Sequence, residues 1–283
     1  MSEENTVMTQ NKEENILFIV LLSGLLFLRF PFVLLSSFQV ITLPNTMMMR
    51  ICTDGTYLLT ALLIILKRDS LSDYNMDIFA LVIFMIAPVA ELIFQYAKVK
   101  YTSSGYMRAD LWFRIAISLC LLIVLLIYRP KMRKRSTKEI LLWGLIAVVV
   151  GVGSGILTGK MAMLQGVQRV PDHASALVVT TSFFTQLGNA AVIEEPLFRG
   201  FLWGWLSKLN WKGHWIWLTQ AGLFWLGHIY YLGAYPYSFW ITVPLGGLVL
   251  GALAWRSKSI GTSMIGHGLI NSMVGDVIAR AIW

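Results

Sequence analysis

Charge is what this chain has least of. Asp, Glu, Lys and Arg make up 13% of its 283 residues, while 57% are hydrophobic. An ordinary soluble domain carries about 25% charged residues, so a soluble globular fold is excluded. Cysteine is nearly absent: only Cys52 and Cys120 occur. They lack metal-type spacing and give no disulfide framework, and both read as packing residues in or beside apolar segments. The long apolar runs do not alternate in polarity, as the strands of a membrane barrel would. No internal repeat, low-complexity tract or soluble domain is visible. The net charge of +8 does not point to nucleic acid, because the basic residues gather at the ends of hydrophobic segments, as orientation signals do.

Long apolar runs are what the chain does have. Residues 16–28, 109–128, 140–157 and 239–255 are each mostly uncharged, and a helix needs about 20 apolar residues to span hydrocarbon. The fold class predicted is all-α, a polytopic membrane helical bundle. Nine hydrophobic segments fall near 16–38, 45–66, 77–97, 109–128, 140–158, 174–206, 214–232, 237–255 and 259–280. Allowing for re-entrant pieces, eight or nine transmembrane helices are expected. Arg29 and Pro31 interrupt the first segment and predict a kink. Residues 1–15 carry four Glu and one Lys, the wrong charge for a signal-peptide start, so the first segment is expected to stay as a membrane helix.

The strongest basic loop, Arg129 to Arg135 closed by Lys138, is assigned to the cytoplasm. Alternation then places the N-terminus, Lys67-Arg68, Lys208/Lys212 and Arg256/Lys258 on that side, which collects 13 basic residues against seven opposite. Trp203, Trp205, Trp211, Trp215 and Trp217 surround Lys208 and Lys212 and mark the same interface, where indole rings favour the headgroups. Tyr230, Tyr231, Tyr235 and Tyr237 mark the other.

Against this background six ionisable or amide side chains stand out. They lie in Glu194-Glu195-Pro196-Leu197-Phe198-Arg199, in Phe224-Trp225-Leu226-Gly227-His228 and in His267-Gly268-Leu269-Ile270-Asn271. Ionisable groups at membrane depth are costly and need a partner or a function. Counting at 1.5 Å per residue from Lys208, Lys212 and Lys258 puts Glu194, His228 and His267 roughly 13–24 Å deep, His228 on the returning helix. Glu195 and Arg199 stand at i, i+4 in the favourable order and are expected to pair, which leaves Glu194 as the unpaired carboxylate. His267 and Asn271 share a face, and Phe224 packs one turn before His228. Pro196 removes a helical hydrogen bond beside the carboxylates. Each element alone reads as a clamp or as interhelical glue; the set, in order within 90 residues, does not. His173 and His214 are read as surface residues. Residues 1–170 show no chemical constellation, with Glu91 a possible exception.

The three segments resemble the motifs of the CPBP membrane proteases, also called the ABI family: Glu-Glu-x-x-x-Arg, Phe-x-x-x-His and His-x-x-x-Asn. Every motif position is filled, by Glu194, Glu195 and Arg199, by Phe224 and His228, and by His267 and Asn271. The family includes type II CAAX prenyl endopeptidases and bacteriocin-processing or immunity-related proteins. The resemblance covers residues 174–283 and divides the chain into N-terminal helices, 1–170, of unassigned role and a catalytic membrane domain. It implies an intramembrane endopeptidase acting on a membrane-associated peptide or protein. Glu194 and His228 would activate water, His267 and Asn271 would stabilise the oxyanion, and Glu195, Arg199 and Phe224 would support them. No metal is expected, since Asn271 is a poor zinc ligand and a good oxyanion donor; zinc held by Glu194, His228 and His267 is the alternative. The competing functions are a non-catalytic scaffold or bacteriocin-immunity protein, and a proton-coupled transporter, against which no matched pair of broken helices is seen. The implied location is a bacterial plasma membrane, with the protein multi-pass and its N-terminus cytoplasmic.

Overall fold

The computed structural model describes residues 3–38, 40–41, 45–102, 110–164 and 176–278, and all regular structure among them is helical. The chain opens with α1 (Glu3–Arg29), stopped ahead of Pro31, and α2 (Pro31–Ser37). Proline cannot donate to the helical ladder, so the kink expected here is a break into two helices. Next come α3 (Asn45–Leu66), a tight turn (Arg68–Tyr74), α4 (Ile78–Thr102), α5 (Asp110–Tyr128) and α6 (Thr137–Leu164).

The segment expected as one helix over 174–206 is a rod of alternating pitch. α7 (Ala176–Gln186) widens into a π turn (Leu187–Ala191), tightens into α8 (Val192–Glu195), widens again (Pro196–Leu202) and ends in α9 (Trp203–Lys208). The second wide turn begins at Pro196, whose missing N–H removes one bond of the ordinary ladder. α10 (Gly213–Leu226), α11 (Tyr231–Ala234), a further wide turn (Ser238–Thr242), α12 (Val243–Ser257) and α13 (Ile260–Ile278) complete the chain.

Five helices among the described residues are long and apolar enough to cross a membrane: Lys12–Leu35, Ile78–Ala97, Leu111–Tyr128, Thr137–Met161 and Ser238–Ser257. Their outward residues include Leu126, Ile127, Leu141 and Val149, all exposed, as lipid-facing side chains are. This is a helical membrane bundle. The remaining helices fall short of that length or apolarity and pack within it. α13 lies along α6 and against α7, and α1 packs on α3. The core joins Leu22, Leu25, Tyr57, Phe84, Leu197, Phe198, Phe201, Phe224 and Met264.

The basic loops gather at one end, as the charge pattern implied. Lys67 pairs with Glu14 at 2.7 Å, the Lys131 amide donates to the Arg68 carbonyl, and Lys208 lies 3.2 Å from Asp73. Buried Asp77 takes Arg135 at 2.9 Å and the Ser259 hydroxyl at 2.9 Å. Asn75, in the left-handed region at φ 52°, ties this end to the broken rod. Its carbonyl accepts from the Ile260 amide that opens α13, and its side chain donates to the Arg199 carbonyl at 3.1 Å.

A membrane-embedded candidate active site

The two carboxylates at the centre of the rod point to different partners. Glu195, fully buried, accepts from Arg199 Nη1 at 3.2 Å and from His267 Nδ1 at 2.7 Å, both on Oε1. The i, i+4 pair read from the sequence therefore forms. Arg199 Nη2 also donates to the Gly247 carbonyl at 3.2 Å, and its guanidinium lies 4.3 Å from the centre of the Phe224 ring. Phe224 packs 4.7 Å from the His228 ring and 5.8 Å from His267, and so forms the wall between them.

Glu194 is not the unpaired carboxylate that spacing suggested. Arg29, the last residue of α1, places Nη2 2.7 Å from Glu194 Oε1. The same Nη2 lies 3.2 Å from His228 Nε2 and 3.3 Å from its Nδ1, so it meets the imidazole ring and not one nitrogen alone. Spacing along one helix could not show a partner supplied by a segment 165 positions earlier. Glu194 Oε2 is different: it is buried and has no hydrogen-bond partner among the described residues. The Nε2 atoms of the two histidines flank the carboxylate, that of His228 3.9 Å from Oε1 and that of His267 3.8 Å from Oε2.

His228 is also placed differently from expectation. α10 ends at Leu226, so His228 sits in the turn after the helix and not on it. Its amide bonds back to the Trp225 carbonyl, and its Nδ1 lies 2.8 Å from the Phe224 carbonyl. A carbonyl can only accept, so Nδ1 carries the proton and Nε2 presents its lone pair. The Glu195 carboxylate fixes His267 in the same sense, with Nδ1 donating. Tyr230 and Tyr231, read as interfacial anchors, pack beside His228 with ring centres 5.7 and 5.5 Å away.

Of the predicted site residues, Glu194, Glu195, Arg199, Phe224, His228 and His267 converge in this one place. Asn271 lies one turn beyond His267 on α13, half-buried, with no hydrogen bond to any described residue. His214 is exposed, and His173 lies outside the described residues.

The ligand chemistry of Glu194, His228 and His267 suits zinc, and each Nδ1 is anchored as the outer-shell rule for metal-bound histidines requires. Arg29 argues against it. Its guanidinium stands at bonding distance from both Glu194 and His228, where a second cation would meet a fixed charge. Among the described residues no group of three His, Cys, Asp or Glu side chains is arranged to hold a metal. As placed, the residues do not fit a metal ion.

A second polar cluster meets the same rod one and a half turns earlier. Glu91, fully buried and just past Pro88 in α4, accepts from Gln95 and Asn189, both at 2.8 Å. Arg114 on α5 donates to the Gly188 carbonyl at 2.9 Å and faces Asp54 at 3.3 Å and Glu91 at 3.8 Å. A side chain at Gly188 would run into the Glu91 carboxylate. Each wide turn of the rod thus has one carbonyl bonded from outside, Gly188 by Arg114 and Arg199 by Asn75. Irregular backbone at membrane depth is tolerated where protein supplies such partners.

Comparison with known families adds an independent finding. Residues 175–273 match the model described as "Type II CAAX prenyl endopeptidase Rce1-like". The matched segment spans the broken rod, α10 to α12 and most of α13, and so includes every motif residue named above. No curated protein and no solved structure matches the chain. The Rce1-like segment holds both histidines and both carboxylates, but Arg29, which completes the contacts of Glu194, comes from outside it.

Proposed function

We propose that this protein is an intramembrane endopeptidase that hydrolyses a peptide bond in a membrane-associated peptide or protein. The observation that carries the reading is the open oxygen of Glu194. Buried Oε2 has no hydrogen-bond partner among the described residues, and His267 Nε2 stands 3.8 Å from it. A water bound to Oε2 would lose its proton to Glu194 as its oxygen bonds to the scissile carbonyl carbon. Glu194, now protonated, would hand that proton to the departing amine as the C–N bond breaks, with the His228 ring alongside.

The oxyanion needs donors placed before it forms. Asn271 offers a side-chain amide one turn from His267. Glu195 holds the His267 ring through Nδ1 at 2.7 Å, with Nε2 turned toward Glu194. Glu195 and Arg199 hold that arrangement together. In this mechanism no step passes through a metal ion.

The family match brings prenylated C-terminal peptides forward as a substrate class, alongside other membrane-associated peptides. The Arg29–Glu194 contact also suits a protein that only binds peptide, as a scaffold or immunity protein would. Purified protein incubated with prenylated and unprenylated peptides, with products read by mass spectrometry, separates these readings. Defined cleavage products support the endopeptidase, whereas peptide binding without products supports the scaffold.

A further inference from the structure

Arg29 is a half-buried cation that neither the motif pattern nor the family match accounts for. It lies 15 residues from Glu14, about 22 Å along the helix at 1.5 Å per residue, too deep to reach the Glu14 end. An arginine at that depth marks a function or a partner. Its position is fixed from three sides. Phe18 packs against Phe201 and Tyr74, with ring centres 6.4 and 5.6 Å apart, and Phe30 packs against Phe198 at 6.2 Å. These contacts key α1 to the wide turn that follows Glu195. Arg29 is also the last residue of α1, where the negative pole of the helix favours a cation.

The approach itself depends on a glycine. A side chain at Gly227, next to His228, would come within 3.0 Å of Arg29 Nε. The glycine therefore leaves the space the guanidinium uses. Glu194 Oε1 and His228 Nε2 are 3.9 Å apart and do not bond directly; Arg29 Nη2 reaches both, at 2.7 and 3.2 Å. Its contact occupies one carboxylate oxygen and leaves the other open.

We infer that Arg29 is a positioning residue of this site, its Nη2 bridging Glu194 Oε1 and the His228 ring beside Gly227, so that Oε2 faces the reacting water. The inference rests on the endopeptidase reading for its consequence, but not for the bridge itself. It also means that the Rce1-like segment alone does not complete the site; α1 does.

Two measurements on the full-length protein in detergent test it. The first needs no substrate: thermal melting of wild type, Arg29→Gln, Glu194→Gln and the double variant. Each single change strands one partner of a buried pair, so each should melt several degrees lower, and the double variant should lose much less than the two losses added. Additive losses would overturn the bridge whether or not the protein is a protease. The second is peptide turnover, in which wild-type cleavage scores the reaction separately. Arg29→Gln should lower kcat about 100-fold, the cost of roughly 1 Å of misplacement, with KM unchanged. Arg29→Lys should recover part of the loss, and Gly227→Ala should lower kcat although the arginine is still present. Wild-type kcat in Arg29→Gln, or a loss confined to KM, would overturn the positioning role.

Discussion

The broken rod over residues 176–208 meets buried charge at two places. At Gly188 and Asn189 it meets Asp54, Glu91 and Arg114; at Glu194 and Glu195 it meets Arg29, Arg199, His228 and His267. Both clusters contain carboxylate and guanidinium groups, and both sit beside a wide turn. The first uses Arg, amides and a backbone carbonyl to hold α4, α5 and the rod together. The second adds two histidines, each anchored through Nδ1 and each turning Nε2 toward a carboxylate oxygen. Buried charge is common to both, so it does not by itself mark chemistry. The distinction lies in the two histidines, groups that can accept and return a proton.

Changes in the two clusters should therefore fail differently. The largest effect is expected for Glu194→Gln, which should lower turnover about 1,000-fold, within the range for a lost general base, while the protein still folds. Product assays on purified variant and wild type check this. Glu195→Gln should cost about 3–5 kcal/mol of stability by stranding Arg199, seen as lower yield and melting temperature, and should release His267 as well. Arg114→Met should cost a similar 3–5 kcal/mol, yet the folded fraction should keep the wild-type kcat. If Arg114→Met loses kcat as Glu194→Gln does, the division between the clusters is broken. Gly188→Ala should cost about 1–3 kcal/mol by crowding Glu91, again with kcat unchanged per folded molecule. The smallest effect is expected from metal removal: protein treated with a strong chelator should retain its activity. Loss that returns on adding stoichiometric zinc would show that Arg29 leaves the site when a metal binds.

Much of the site was legible in the sequence because ionisable side chains are conspicuous in apolar sequence. Glu195–Arg199 could be paired from helical spacing, and convergence of the three motif segments followed from counting inward from flanking lysines. The basic loops at one end were legible for the same reason, since charge marks the water-facing ends of a membrane helix. What spacing cannot show is a partner from another helix. Arg29 looked like an interruption in its own segment, with no acid one turn away, and its role depends on how α1 packs on the rod. The end of α10 before His228 was hidden by an apolar run continuing through Leu226-Gly227. The wide turns were only hinted at by Pro196, because pitch there is set jointly by proline and by outside donors such as Arg114 and Asn75. Segment hydrophobicity also does not register where a rod breaks, as it does within 176–208.

The most direct test of the central claim is a product assay with a membrane-associated peptide, comparing wild-type protein and Glu194→Gln at matched folded concentration. The account predicts a defined pair of cleavage products from wild type by mass spectrometry, absent or reduced about 1,000-fold with Glu194→Gln. Equal product from the two proteins would contradict it, and would return Glu194 to the role of a structural partner for Arg29.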